Sequence, residues 1–250
     1  MGTLEGKTAV VTGGSRGIGR AIVQRLADEG ASVAFSFVAN QAAADEVVAA
    51  VSAGGSGGQK VIALRADQGS VADQQKLMAS ADEALGGLDI LVVNAAIGPA
   101  QTFAEISEAD YDHVMGVNVK GPFFAMQYAA THLRDHGRII TISSLSTALP
   151  EAGAGLYCAS KAALELFTAV LAREVAPRGI TVNAVSPGAT DTELLHAVNP
   201  AEAVATMIDL TPFGRLGRPE EIANVVAFLA GPDATWITGQ NIRATGGLIL

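Results

Sequence analysis

One pattern constrains this chain more than any other. Short apolar runs of strand length are separated, from end to end, by longer segments of helical period. The runs are TAVVT (8–12), SVAFSF (32–37), VIALRA (61–66), DILVVN (89–94), RIITIS (138–143), ITVNAV (180–185) and NIRA (241–244). Between them, segments such as RAIVQRLADEG and ASKAALELFTAVLAREV repeat apolar residues at helical spacing. Strands joined through helices run parallel, because each helix carries the chain back to the edge where the next strand starts. The runs are continuously apolar, as strands covered on both faces should be. The expectation is an α/β fold: a doubly wound parallel sheet of about seven strands with helices on both faces, forming one domain over residues 1–250.

Composition agrees with a single large core: 49% of the 250 residues are hydrophobic and 16% charged. A net charge of −9 argues against nucleic acid or an anionic membrane as the main partner. A local patch of backbone amides with one or two arginines can still hold an anion. The single cysteine, Cys158, excludes an intrachain disulfide. The opening MGTLEGKTAVV leaves no room for a signal peptide, and no uninterrupted apolar stretch reaches the length of a membrane span. A cytoplasmic protein is expected. GGSGG (54–58) reads as a surface turn.

The first strand ends in TGGSRGIG (12–19), and a helix follows at once. Glycines at 13, 17 and 19 let the backbone approach a ligand closely, and the helix N-terminus offers free N–H groups that suit a pyrophosphate. An NAD site usually carries an acid about 20 residues on, at the end of the second strand. Here FSFVANQAAADE has none before Asp45. Arg16, Ser36 and Asn40 instead suit a ribose 2′-phosphate; the competing reading of Arg16 is a solvated loop residue.

YCASK (157–161) places Tyr157 and Lys161 four residues apart, on one face of a helix. A phenol is a poor acid or base at neutral pH, and a neighbouring ammonium favours its ionised form and makes proton transfer practical. Upstream, ITISSLS offers Ser143, Ser144 and Ser146 as donors to a reacting oxygen.

With the glycine loop, these pieces resemble the short-chain dehydrogenase/reductase family over essentially the whole chain. TGGSRGIG, Ala66–Asp67, VVNAA (92–96), GVNVKGPF, ISSLS, YCASK, SPGATDT and ITGQNIRATGG carry the likeness, in the family's order. The resemblance implies a Rossmann-type sheet and NADP(H) as cofactor. It implies that Tyr157 is the general acid, that Lys161 lowers the tyrosine's pKa and holds the nicotinamide ribose, and that Ser144 bonds the substrate oxygen. Asn118 matches the asparagine that holds a water linking the lysine to solvent. Further cofactor contacts are implied for Gly13, Ser15, Arg16, Gly17, Ile18 and Gly19; for Ser36, Asn40, Asp67 and Gln68; for Asn94, Ala95 and Ala96; and for Pro187, Gly188, Thr190 and Thr192. Two departures stand out: Val93-Asn94-Ala95-Ala96 replaces the usual Asn-Asn-Ala-Gly, and Thr190 replaces a branched aliphatic residue.

Cys158 is either a nucleophile or a small core-facing residue; without a histidine partner in sequence reach, the second reading is favoured. His132 and His136 have the spacing of some zinc ligands, but HLRDH has no third ligand in sight. No metal is expected. Leu145, Leu149, Leu194, Leu195 and Met207 are expected around the substrate, which favours a small hydrophobic carbonyl compound. A 3-oxoacyl-acyl-carrier-protein reductase is the alternative enzyme, and an NADP-sensing scaffold the alternative outside catalysis. Carrier-protein reductases commonly place a basic residue where Asp135 stands, while Arg178 is retained. The apolar helical segments 108–132 and 159–175 and the GGLIL tail imply a homotetramer.

Overall fold

The computed structural model describes residues 2–54 and 58–249, so the middle of the GGSGG run lies outside the described residues. Every expected strand forms. The first half runs β1 (Thr8–Val11), α1 (Gly17–Asp28), β2 (Ser32–Phe37), α2 (Gln41–Gly54), β3 (Val61–Arg65), α3 (Val71–Leu85) and β4 (Leu88–Val93). Then come α4 (Glu108–Met115), a π-turn (Gly116–Lys120), α5 (Gly121–His132), β5 (Leu133–Ile142) and α6 (Gly155–Glu174). The chain closes with β6 (Thr181–Pro187), α7 (Glu193–Val198), α8 (Ala201–Leu210), α9 (Pro219–Ala230) and β7 (Asn241–Ala244).

The sheet is parallel, in the order β3-β2-β1-β4-β5-β6-β7. The chain winds outward from β1 to β3, then returns to lay β4 against the other side of β1. That reversal opens a crevice beyond the C-terminal ends of β1 and β4, the usual ligand position in such sheets. Side chains alternate between two cores. Ala9, Val11, Ile90 and Val92 pack with Ile22 and Leu26 of α1 and Ile222 and Val226 of α9. Val10, Leu91 and Val93 pack with Met78, Ala125, Met126 and Ala172 on the opposite face. Both faces are dry, so both parities of each strand must be apolar.

β5 starts at Leu133, earlier than the apolar run implies. Its first residues Arg134, Asp135 and His136 are exposed, the register against β4 shifts between Leu88 and Ile90, and His136 adopts a φ of 63°. A polar, bulged strand start leaves no apolar signal to read. Among the described residues α6 is the one helix long and apolar enough to pass for a membrane span by length and composition, with a mean hydropathy of 1.3 over its most apolar 18 residues, although Lys161 and Glu165 interrupt it. It packs against the sheet and carries the buried Lys161 and Thr168, which is the position of a core helix.

Candidate active site

The glycine loop sits at the crevice. Gly13 and Gly17 take φ of 68° and 52°, and Gly19 packs so closely that a Cβ there would lie 2.1 Å from Gly13 O. No side chain caps the start of α1, so its first N–H groups point into the crevice unpartnered by the helix. Ser15 and Ile18 flank this turn, partly exposed. A phosphate group fits this cradle, and the exposed Arg16 stands beside it. Arg16 is already engaged: its guanidinium lies 3.6 Å from Glu193 Oε2 on α7.

The other expected cofactor residues divide between outward and inward roles. Ser36 is buried, and its hydroxyl accepts from Gly13 N at 3.0 Å, bracing the loop. Asn40 is exposed and accepts from Ala43 N, capping the start of α2. Asn94 donates to Thr12 O and Gly13 O, while Asn94 N and Ala95 N donate to Thr12 Oγ1. Asn94 therefore staples β4 to the glycine loop, with Ala95 and Ala96 following it along the crevice. Asp67 is exposed, with Oδ1 accepting from Gly69 N. Gln68 is buried, and neither atom of its side-chain amide has a hydrogen-bond partner among the described residues. Any contact from Gln68 to a ligand in the crevice comes from its backbone.

On the far side, Gly188 N donates to Ala244 O, and Thr190 Oγ1 donates to Gly188 O. Thr192 caps α7, its Oγ1 accepting from Leu195 N. A Cβ on Gly17 would lie 3.4 Å from the Thr192 methyl, so α7 begins directly across from the glycine loop.

α6 brings Tyr157 and Lys161 to the same end of the sheet. Lys161 is 2% exposed, donates to Ile142 O at 2.8 Å, and has its Nζ 5.8 Å from the Tyr157 ring centre. Burial pulls its pKa down to about 8. Tyr157 moves the other way: burial raises its pKa, and a hydrogen bond with Ser144 partly offsets the rise. Ser144 is the group that counteracts burial, because Lys161 turns toward a backbone carbonyl. Ser144 Oγ also accepts from Ser146 N at 3.2 Å.

Asn118 occupies the π-turn between α4 and α5 and is fully buried. Its Oδ1 accepts from Ile97 N, and its Nδ2 donates to Ile97 O and Ser160 Oγ. The side chain ties the segment after β4 to the helix of Tyr157 instead of touching Lys161. The extra residue of a π-turn swings it inward.

Gly98, next to this tie, lies against the Tyr157 ring: a Cβ there would sit 3.1 Å from Cδ2. A cavity of about 300 Å³ opens from this point, lined by Ile97, Gly98, Pro99, Asp110, His113, Val114, Leu194 and Val198. Of the leucines expected at the substrate, only Leu194 lines it. Leu145, Leu149, Leu195 and Met207 do not. Asp110 and His113 were missed; they are ordinary polar residues of a helix, and only the fold brings α4 to the cavity. A larger cleft, about 700 Å³, runs between β3 and α3 and touches Asp67, away from Tyr157.

Cys158 is half-buried, and burial raises its thiol pKa, so it is held protonated. His132 stacks on Tyr128 with ring centres 3.9 Å apart, while His136 abuts Gly179. Among the described residues, no cluster of metal-ligating side chains forms. Asp135 and Arg178 form an ion pair of 2.9 Å at the start of β5. Roughly 25–30 Å of strand separates that point from Ser144.

A crevice built for a dinucleotide, with a hydroxyl, a phenol and a buried ammonium gathered at its end, defines an oxidoreductase of the Rossmann class. The sequence profile of a family described as enoyl-(acyl carrier protein) reductase matches residues 13–249. An uncharacterised oxidoreductase of Methylorubrum extorquens is 43% identical, over 99% of this chain and 100% of its own length. A short-chain dehydrogenase from Burkholderia cenocepacia, crystallised with NADP, is 41% identical. It superposes with a TM-score of 0.93 over 98% of this chain and 99% of its own. An angucycline C-6 ketoreductase with bound NADP is 40% identical, with a TM-score of 0.92 over 99% and 97% of the two chains. The chain belongs to the short-chain dehydrogenase/reductase family.

Proposed function

We propose that this protein is a cytoplasmic, NADPH-dependent carbonyl reductase that converts a small hydrophobic ketone or aldehyde to the alcohol, and the reverse. The observation that carries the reading is the cavity beside Gly98, which lies against the Tyr157 ring, with Ser144 bonded to the same phenol. When bound, the nicotinamide supplies the hydride that adds to the carbonyl carbon. Ser144 Oγ donates to the carbonyl oxygen and stabilises the charge that develops there. Tyr157 Oη gives that oxygen its proton; a phenol with a raised pKa keeps the proton through neutral pH. Lys161, still mostly cationic at pH 7, stabilises the phenolate left behind until it is reprotonated.

Arg16 supports NADPH over NADH, since it is the cation beside the cradle and β2 ends without an acid. Free substrates are favoured over carrier-protein thioesters because the groups around the cavity mouth are acidic. Asp110 lines the cavity, Asp191 and Glu193 start α7, and Arg16 is paired with Glu193. An acidic carrier protein meets several carboxylates there, and the guanidinium of Arg16 is already paired with one of them. The test is NADPH consumption with a panel of ketones, aldehydes, diketones and 3-oxoacyl-carrier protein at two salt concentrations. Hydrophobic ketones or ketoesters are expected to react at least as efficiently as the thioester. A strong, salt-sensitive preference for the carrier-protein substrate would overturn the choice.

A further inference from the structure

Glu165 lies one helical turn beyond Lys161 on α6, and no part of the proposed chemistry uses it. Its Oε1 accepts from two hydroxyls, Ser143 Oγ at 2.6 Å and Thr147 Oγ1 at 2.7 Å, while Ser186 Oγ, 3.4 Å away, gives its proton to Asn241 Oδ1 at 2.7 Å. The first two distances fall in the range of O–H donors bonding an ionised oxygen, bonds about twice as strong as neutral ones. Each hydroxyl leads to the site. Ser143 directly precedes Ser144, and its hydroxyl also approaches Lys161 O at 3.4 Å. Thr147 closes the turn that presents the Ser144 hydroxyl, its N–H donating to Ser144 O at 3.3 Å. Ser186 bonds Asn241 on β7 and immediately precedes Pro187 and Gly188. A carboxylate half-inside the protein needs donors, and the hydroxyls of Ser143 and Thr147, just beyond β5, meet that need.

We propose that Glu165 is a positioning residue for carbonyl reduction, pinning the turn that carries Ser144 to the helix that carries Tyr157 and Lys161. Tyr157, Lys161 and Glu165 occupy successive turns of one helix face. Ser144 sits on a separate loop whose distance from Tyr157 must be kept to a fraction of an ångström for both hydroxyls to bond one substrate oxygen. Misplacement of about 1 Å typically costs about a hundredfold in rate. The inference rests on the carbonyl-reductase reading.

The experiment compares Glu165→Ala, Glu165→Gln and Ser143→Ala/Thr147→Val with the unmodified protein and Tyr157→Phe. The readouts are kcat and KM for ethyl benzoylformate, NADPH affinity by fluorescence, thermal midpoint, and the pH profile of alcohol oxidation. Glu165→Ala is expected to lower kcat about ten- to a hundredfold, with NADPH affinity and the thermal midpoint little changed. Glu165→Gln, which keeps an acceptor for both hydroxyls, should recover most of the loss. The Ser143/Thr147 pair should reproduce the alanine effect, and combining it with Glu165→Ala should add little further. Without its bond to a correctly placed Ser144, the phenol should titrate higher, shifting the oxidation profile to alkaline pH. A merely structural carboxylate would not move that profile. Unchanged kcat in Glu165→Ala, or a loss matched by collapse of NADPH binding or of the thermal midpoint, overturns the proposal. If Glu165→Ala does not fold, unchanged kcat in the Ser143/Thr147 pair overturns it equally. Activity in Tyr157→Phe would instead overturn the reductase reading beneath it.

Discussion

Tyr157 and Lys161 are driven in opposite directions by the same burial: the phenol is held neutral, and the ammonium is pressed toward losing its proton. Tyr157→Phe removes only the transferable proton, so turnover should fall at least a hundredfold while NADPH affinity is kept. Cys158→Ala should retain most activity, since its thiol is protonated and touches no reacting atom in the proposed scheme. Both follow from one NADPH-consumption assay with a binding titration. Lys161 carries a stability consequence as well. Its folded pKa of about 8 lies below the unfolded value of about 10.4, so the charge costs roughly 3 kcal/mol at neutral pH. Between those two values the unfolded chain binds more protons than the folded one, and stability from this group rises with pH. Lys161→Met should therefore abolish turnover yet melt no lower than the unmodified protein at pH 7, the lost bond to Ile142 O offsetting part of the gain. Its relative stability should decline from pH 8 to pH 10 in melts across pH; a constant difference would contradict the assignment.

At the scale of elements, α7 and the glycine loop face each other across the cofactor crevice. Arg16 and Glu193, both largely exposed, form the one ion pair found between them among the described residues. A 2′-phosphate competes with Glu193 for the guanidinium. Arg16→Ala should weaken NADPH binding about ten- to a hundredfold, matching a charge-assisted contact of about 1.5–3 kcal/mol, with NADH little affected. Glu193→Gln should act in the opposite direction. An exposed pair contributes about 0–1 kcal/mol, so NADPH should bind up to about fivefold tighter, again without change for NADH. Dissociation constants for both cofactors check the pair of variants. A parallel shift for NADH in either would place Arg16 outside cofactor selection.

The whole molecule leaves apolar surface that its own core does not cover. Phe123, Leu166 and Val170 are exposed on α5 and α6, with Phe123 edge-on to Phe167 at 5.4 Å. Phe213, Phe228 and Trp236 form a second exposed set, the tryptophan 98% exposed. The C-terminal tail was expected between subunits. In the single chain, Gly246 and Gly247 pack against Thr211, Pro212 and Phe213, which leaves Leu248 and Ile249 only half-buried. We propose that other copies of the chain cover these exposed apolar residues in a homotetramer. Sedimentation at micromolar protein should give four chains, and a monomer would reject this.

The sequence by itself determined the sheet and its catalytic helix. Seven strands buried on both faces leave an unbroken apolar signature, and a helix holds Tyr157 and Lys161 together by its period alone. The glycine loop was legible for a similar reason, since only glycine satisfies the positive φ at Gly13 and the backbone contact at Gly19. Only the tertiary structure decided which side chains share a space. Asn118 bonds Ile97 and Ser160 because a π-turn rotates it inward, and no period announces one inserted residue. Asp110 and His113 reach the cavity, and Glu165 reaches the hydroxyls of Ser143 and Thr147, because separate chain segments converge beyond the C-terminal ends of the strands. Local spacing reports which face a residue shares with its neighbours along one element. Contacts between elements depend on how the elements pack.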